Sequence, residues 1–183
     1  MALCRKVLQL SALIVLISAL ICCEKHDTKP AQKIDPLLFK SATELTGAIR
    51  RGEITSLDLL NRYLDSIQRN NDSIDAVVAL DIDAARARAA EADKALAQGQ
   101  DWGPLHGLPM TVKDVFEVAG MPATSGDPDL KGYIPKRNAI AVQRLIDAGA
   151  IIFGKTNVPY HGRDFQSFNK VCGTTNNPIL RFL

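Results

Sequence analysis

Between Leu108 and Phe153 the chain reads as strand, helix and strand, and this order restricts its fold more than any other feature. Leu108-Pro109-Met110-Thr111-Val112-Lys113 is a short strand in which Met110 and Val112 share one face and Thr111 and Lys113 the other. Asn138 to Ala148 carries apolar residues at helical spacing and stops at Gly149, and Ala150-Ile151-Ile152-Phe153 has the composition of a buried strand. A helix between two strands is βαβ-like, which points to the α/β class. The Gly/Pro/Asp-rich stretch from Gly120 to Pro135 is predicted to line a site rather than build the core.

Upstream, the start and stop signals describe helices. Ser41-Ala42-Thr43-Glu44 is a capping box, followed by Leu45, Ala48 and Ile49 on one face and a stop at Gly52. Thr55-Ser56-Leu57-Asp58 opens a second helix whose stripe is Leu59, Leu60, Tyr63, Leu64 and Ile67; Asn70 and Asn71 are predicted to end it, with Asn71-Asp72-Ser73 as a turn and Ile74 to Leu80 as a strand. Asp83 to Gln98 is alanine-rich with interspersed charges, a strong helix former with a solvated face, and Gly99 is placed to cap it.

The N-terminus has a different character. Arg5 and Lys6 precede an apolar run from Val7 to Ile21 that ends at Glu24-Lys25-His26-Asp27, the arrangement of a secretory signal. Leu20-Ile21-Cys22-Cys23 resembles a bacterial lipobox, which implies lipidation at Cys23 and an exported, membrane-anchored product. The organisation read from the sequence is therefore a signal over 1–23, a polar linker over 24–38 and a folded domain over 39–183, with folded structure beginning near Phe39. Cys172 then stands alone, read as a small buried residue, and no disulfide framework or metal-ligand spacing is present. A net charge of +2 without an arginine cluster leaves no footprint for nucleic acid.

Gly149 to Thr156 satisfies the phosphate-loop pattern to the letter. Its intervening residues read as a strand, however, and no helix opens after Lys155-Thr156, so nucleotide binding is not predicted. Three other stretches carry the chemistry: Gly103-Pro104-Leu105-His106-Gly107-Leu108-Pro109-Met110-Thr111-Val112-Lys113-Asp114, Gly154-Lys155-Thr156-Asn157-Val158-Pro159, and Gly173-Thr174-Thr175-Asn176-Asn177-Pro178. Together they resemble the amidase signature family of serine hydrolases, from about Phe39 to Pro178. The resemblance implies N-terminal helices leading into the start of a mixed-sheet α/β/α core, incomplete in this chain. It implies no cofactor, a small-molecule amide as substrate and a Ser-Ser-Lys triad of which Lys113 is the lysine.

A lysine that acts as a base must be neutral, which takes burial or a nearby cation; the apolar strand and turn glycines that flank Lys113 are the expected source of that desolvation. Ser125, in Thr124-Ser125-Gly126, matches a loop near the active-site mouth. Asn157, Thr174, Thr175 and Asn176 match positions that hold the backbone and the signature loop, and His106 reads as a packed turn histidine. By the resemblance both serines belong to a Gly/Ser-rich stretch beyond Pro178, and Ile-Leu-Arg-Phe-Leu after Pro178 departs from the family pattern. The sequence reading is therefore of the front end of a longer or damaged amidase. Two alternatives are a non-catalytic truncated lipoprotein remnant and a protein like the glutaminase-type component of glutamyl-tRNA amidotransferase, which supplies ammonia for transamidation. The substrate and the oligomeric state are not encoded in these motifs.

Overall fold

The computed structural model describes residues 35–179. The chain divides into a unit Met1–Asp35 and a unit Pro36–Leu183; the account below concerns the second. The signal, Cys23 and nearly all of the linker lie outside the described residues. The first described element is a 3-10 turn at Pro36–Phe39, whose Leu37 packs on the core.

Helix α1 (Ala42–Arg50) opens on the predicted capping box. The Glu44 amide donates to Ser41 Oγ at 3.3 Å and the Ser41 amide donates to the Glu44 carboxylate at 2.8 Å. Helix α2 (Ser56–Ile74) is capped by the Thr55 side chain and ends at Asp75 in a left-handed conformation, φ 55°. It does not stop at Asn70-Asn71. The Asn71 side chain instead accepts from the Ala76 and Val77 amides and donates to the Val77 carbonyl, so it joins the last helical turn to the strand that follows. Strand β1 is accordingly shorter than predicted, Val77–Leu80. Helix α3 (Ile82–Ala97) buries Ala85, Ala89, Ala92 and Ala95 and exposes most of its charges, while Asp93 accepts from the Ser56 and Leu57 amides at the start of α2.

Strand β2 (Pro109–Lys113), helix α4 (Ile140–Asp147) and strand β3 (Ile151–Thr156) form the predicted strand–helix–strand unit. The sheet order is β1-β3-β2, with β2 parallel and β1 antiparallel to β3. A separate hairpin pairs β4 (Phe168–Asn169) with β5 (Gly173–Thr174).

The sheet is covered on both faces. Leu60 and Leu64 of α2, with Ala85, Ala89 and Ala92 of α3, pack on Ile151 and Phe153. Val142 of α4, with Val112, Val118 and Met121, forms the opposite layer, against which Ile152 packs. The 120–135 stretch therefore gives Met121 and Ala123 to the core as well as bordering the strand ends. Among the described residues no helix is long and apolar enough to cross a membrane.

The pairing of β2 with β3 skips one residue: Met110 faces Ile152, while Thr111 faces Gly154. The extra residue breaks the period-two alternation of β3. Ile151 and Phe153 belong to the α2/α3 layer and Ile152 to the α4 layer, and after the skip Lys155 comes back to the side of the α4 layer. There it meets Asp114.

Candidate active site

Ligands of parallel sheets collect outside the carboxyl ends of the strands, where the connecting loops converge. Here β2 ends at Lys113 and β3 at Thr156, paired with each other, and the loops 114–127 and 157–176 leave from that end. Lys113 is exposed, so the predicted desolvation is not supplied by the described residues. The fully buried lysine is its neighbour on β3, Lys155, which is 0% exposed.

Lys155 Nζ donates to Asp114 Oδ1 at 3.4 Å, to the Phe116 carbonyl at 2.7 Å and to the Pro122 carbonyl at 2.8 Å. Those three acceptors match the three protons of an ammonium group. Burial pushes the Lys155 ammonium down from its ordinary pKa, and the Asp114 carboxylate opposes that shift. Asp114 Oδ2 accepts from the Thr124 amide at 3.1 Å and from the Thr124 hydroxyl in a short bond. The phosphate-loop pattern is thus a strand whose lysine is fully committed inside the protein, in keeping with its discounting from sequence.

Ser125 sits in the left-handed region at φ 54°. Its amide donates to the Asp114 carbonyl at 3.3 Å and its carbonyl accepts from the His161 amide at 2.8 Å. Lys113 and Ser125 therefore come to the same strand end, joined through the backbone of Asp114. His161 is left-handed as well, at φ 53°; its ring stacks on Tyr160 and its Nε2 lies 2.6 Å from Asp127 Oδ2. Two adjoining non-glycine residues held in this strained region are a feature more common at functional sites than elsewhere.

The Asp127 carboxyl is held below the usual carboxylate range, first by the Asp129 amide and then by the His161 ring. A depressed folded pKa contributes stability above the unfolded value, and that contribution is lost as pH falls through the folded value. Acidification through that range is expected to loosen the tie between the 124–127 and 159–162 loops, and Asp127→Asn to remove the step. An NMR titration of the Tyr160 and His161 ring signals checks both; an identical acid-range step in Asp127→Asn would rule out Asp127 as its source.

Asn157 and Thr175 meet as well. Asn157 Nδ2 donates to Thr175 Oγ1 at 3.1 Å and to the Gly173 carbonyl at 3.3 Å, and Thr175 Oγ1 donates to the Asp75 carbonyl at 2.7 Å. Asn176 binds the end of α2 instead, its amide donating to the Ile74 carbonyl at 2.7 Å. Thr174 is exposed on β5 opposite Phe168.

Asn169 carries no motif that singles it out in the sequence, although it is 3% exposed and fully bonded. Its Nδ2 donates to Asn157 Oδ1 and the Val158 carbonyl, both at 2.7 Å, and its Oδ1 accepts from the Val171 and Cys172 amides. The available signal is an asparagine inside an otherwise irregular segment, which local side-chain to backbone bonding favours. Cys172 is half-buried rather than buried, and burial pushes its thiol pKa up. His106 is fully buried. Its Nδ1 accepts from the Trp102 amide at 2.9 Å and its Nε2 lies 3.1 Å from the Ala92 carbonyl, a structural role that a neutral ring with its proton on Nε2 fulfils. A groove of about 600 Å³, bordered by Asp127, Tyr160, Arg163, Phe168 and Lys170, lies beside the strand end and is lined by neither Lys113 nor Ser125.

The family model for amidases matches residues 58–181. The chain belongs to the amidase family. The glutamyl-tRNA(Gln) amidotransferase A-type subunit of Acidothermus cellulolyticus is 37% identical over 142 residues, covering 78% of this chain and 28% of that protein. Its human mitochondrial counterpart is 35% identical over 142 residues, 78% of this chain and 27% of that protein. Among solved structures, the peptide amidase of Stenotrophomonas maltophilia matches with a TM-score of 0.71 at 32% identity, covering 78% of this chain and 31% of its own. A second, described as an amidase, matches with a TM-score of 0.67 at 36% identity, covering 75% and 31%. This amidase-family chain thus spans less than a third of the length of these relatives.

Proposed function

We propose that this chain carries the base-lysine portion of an amide-cleaving, acyl-transferring site, with Lys113 as the base. The observation that supports it most is the position of Lys113: at the carboxyl end of a parallel strand, with the Ser125 loop tied to the next residue. In the reading drawn from family resemblance, neutral Lys113 accepts a proton relayed through one serine. A second serine then attacks the amide carbonyl, the amine leaves with that proton, and water releases the acyl group. The substrate class is a carboxylic amide.

The test is turnover of small primary carboxamides by the natural gene product, parent against Lys113→Ala and Lys113→Arg. Loss of a general base is expected to lower kcat about 10²- to 10⁴-fold, and arginine, always charged, to rescue nothing. Turnover retained in both variants would sink the assignment. The same assay with glutamine, with and without added partner proteins, separates a free amidase from a component that resembles the transamidating relatives.

A further inference from the structure

We propose that Asp114 and Lys155 act together as positioning residues for the site, fixing the end of β2 that bears Lys113 and the 124–126 turn that bears Ser125. The inference rests on the reading of Lys113 as the base. Asp114 ties the end of β2 to two other segments, β3 and the 124–126 turn. Its amide donates to the Thr156 carbonyl at 2.9 Å, its carbonyl accepts from Ser125, its carboxylate takes the amide and hydroxyl of Thr124, and its other oxygen takes Lys155. Thr124 Oγ1 passes the connection on, accepting from the Gly126 amide at 3.1 Å.

Lys155 holds the loop between Lys113 and that turn through the Phe116 and Pro122 carbonyls, while the Phe116 amide donates back to the Lys113 carbonyl at 3.0 Å. Lys113 is thus flanked on its chain by bonds that all converge on one buried pair. Stability alone would not require this arrangement, because apolar side chains of similar size commonly replace buried ion pairs without loss. Apolar residues cannot, however, bind two carbonyls of one loop and two donors of one turn. The skipped residue in β3 that brings Lys155 to Asp114 serves the same end.

The test compares the parent with the Asp114→Leu/Lys155→Met double variant and with Asp114→Asn, by thermal melting and by residue-resolved amide hydrogen exchange on the chain. Positioning predicts that the Thr124, Ser125 and Gly126 amides exchange about tenfold faster or more, while α2 and β3 keep their protection. In the natural gene product it predicts that kcat for a carboxamide falls with KM little changed. Parent-like exchange at 124–126 in both variants would overturn the proposal. So would a uniform loss of protection that simply follows the melting temperature, since that marks a pair that only holds the core. If Lys113→Ala leaves turnover intact, the base assignment fails by itself, and the exchange result still decides whether the pair orders the turn.

Discussion

Gly107→Ala is expected to lower stability by about 3 kcal/mol or more, combining a left-handed backbone penalty with overpacking of a closed interior. Gly107 has φ +69°, and a Cβ there would land on the Ser56 hydroxyl oxygen, 3.1 Å from Ser56 Cβ and 3.6 Å from Ala92 Cβ. Neither neighbour can withdraw easily. Ser56 is fully buried at the first turn of α2, where its amide donates to Asp93 Oδ1 at 2.7 Å. Ala92 lies in the interior of α3, its carbonyl committed to His106. The Gly107 amide meanwhile donates to the Gly149 carbonyl, so shifting the turn strains the approach to β3.

For a chain of this size, a loss of that order corresponds to a fall in Tm of roughly 10 °C. Ser56→Gly in the Gly107→Ala background is expected to recover a good part of it. Ser56→Ala alone should cost little, because the Ser56 hydroxyl has no hydrogen-bond partner among the described residues. Calorimetric or optical melts of the four proteins check the set. A Gly107→Ala melt within about two or three degrees of the parent, on the same scale, would mean that the turn relaxes and the steric argument is wrong.

The same turn shows what the sequence makes legible. Both helix starts, the alanine face of α3, the strand–helix–strand unit and the packed state of His106 follow from residues close together in the chain, where capping and periodicity act. The end of α2 is misplaced by such local signals because Asn71 favours a turn, yet here it makes its bonds forward to Ala76 and Val77 without breaking the helix. Lys155 is hidden for a different reason. Simple alternation from Ile151 places it in the α2/α3 layer, and only the skip in the β2–β3 register, a property of two strands together, sends it to Asp114. Likewise, the desolvation expected for Lys113 follows from its apolar flanks, but the last residue of a strand projects past the layers that cover the strand's middle.

Asn169→Ala is the second large effect, with an expected loss of about 3 kcal/mol or more because it leaves several buried or half-buried groups without partners at once. The Val171 and Cys172 amides lose their acceptor and the Val158 carbonyl loses a donor, while Asn157 Oδ1 keeps only the Val158 amide. Asn169 also packs on the turn, since a Cβ at Gly126 would approach Asn169 Cβ to 2.8 Å. Chemical denaturation should report the lost stability, and limited proteolysis should cut first between Arg163 and Asn176, where the β4–β5 hairpin loses its tie to β3. Thr174→Ala, on the exposed strand of the same hairpin, should stay within about 0.5 kcal/mol of the parent. Asn157 and Asn169 bond each other, so their alanine variants should be non-additive in a double-mutant cycle. Additive losses, or an Asn169→Ala protein as stable and protease-resistant as the parent, would show that the hairpin is held by its own strand pairing and by Thr175 on the Asp75 carbonyl rather than by the asparagine pair.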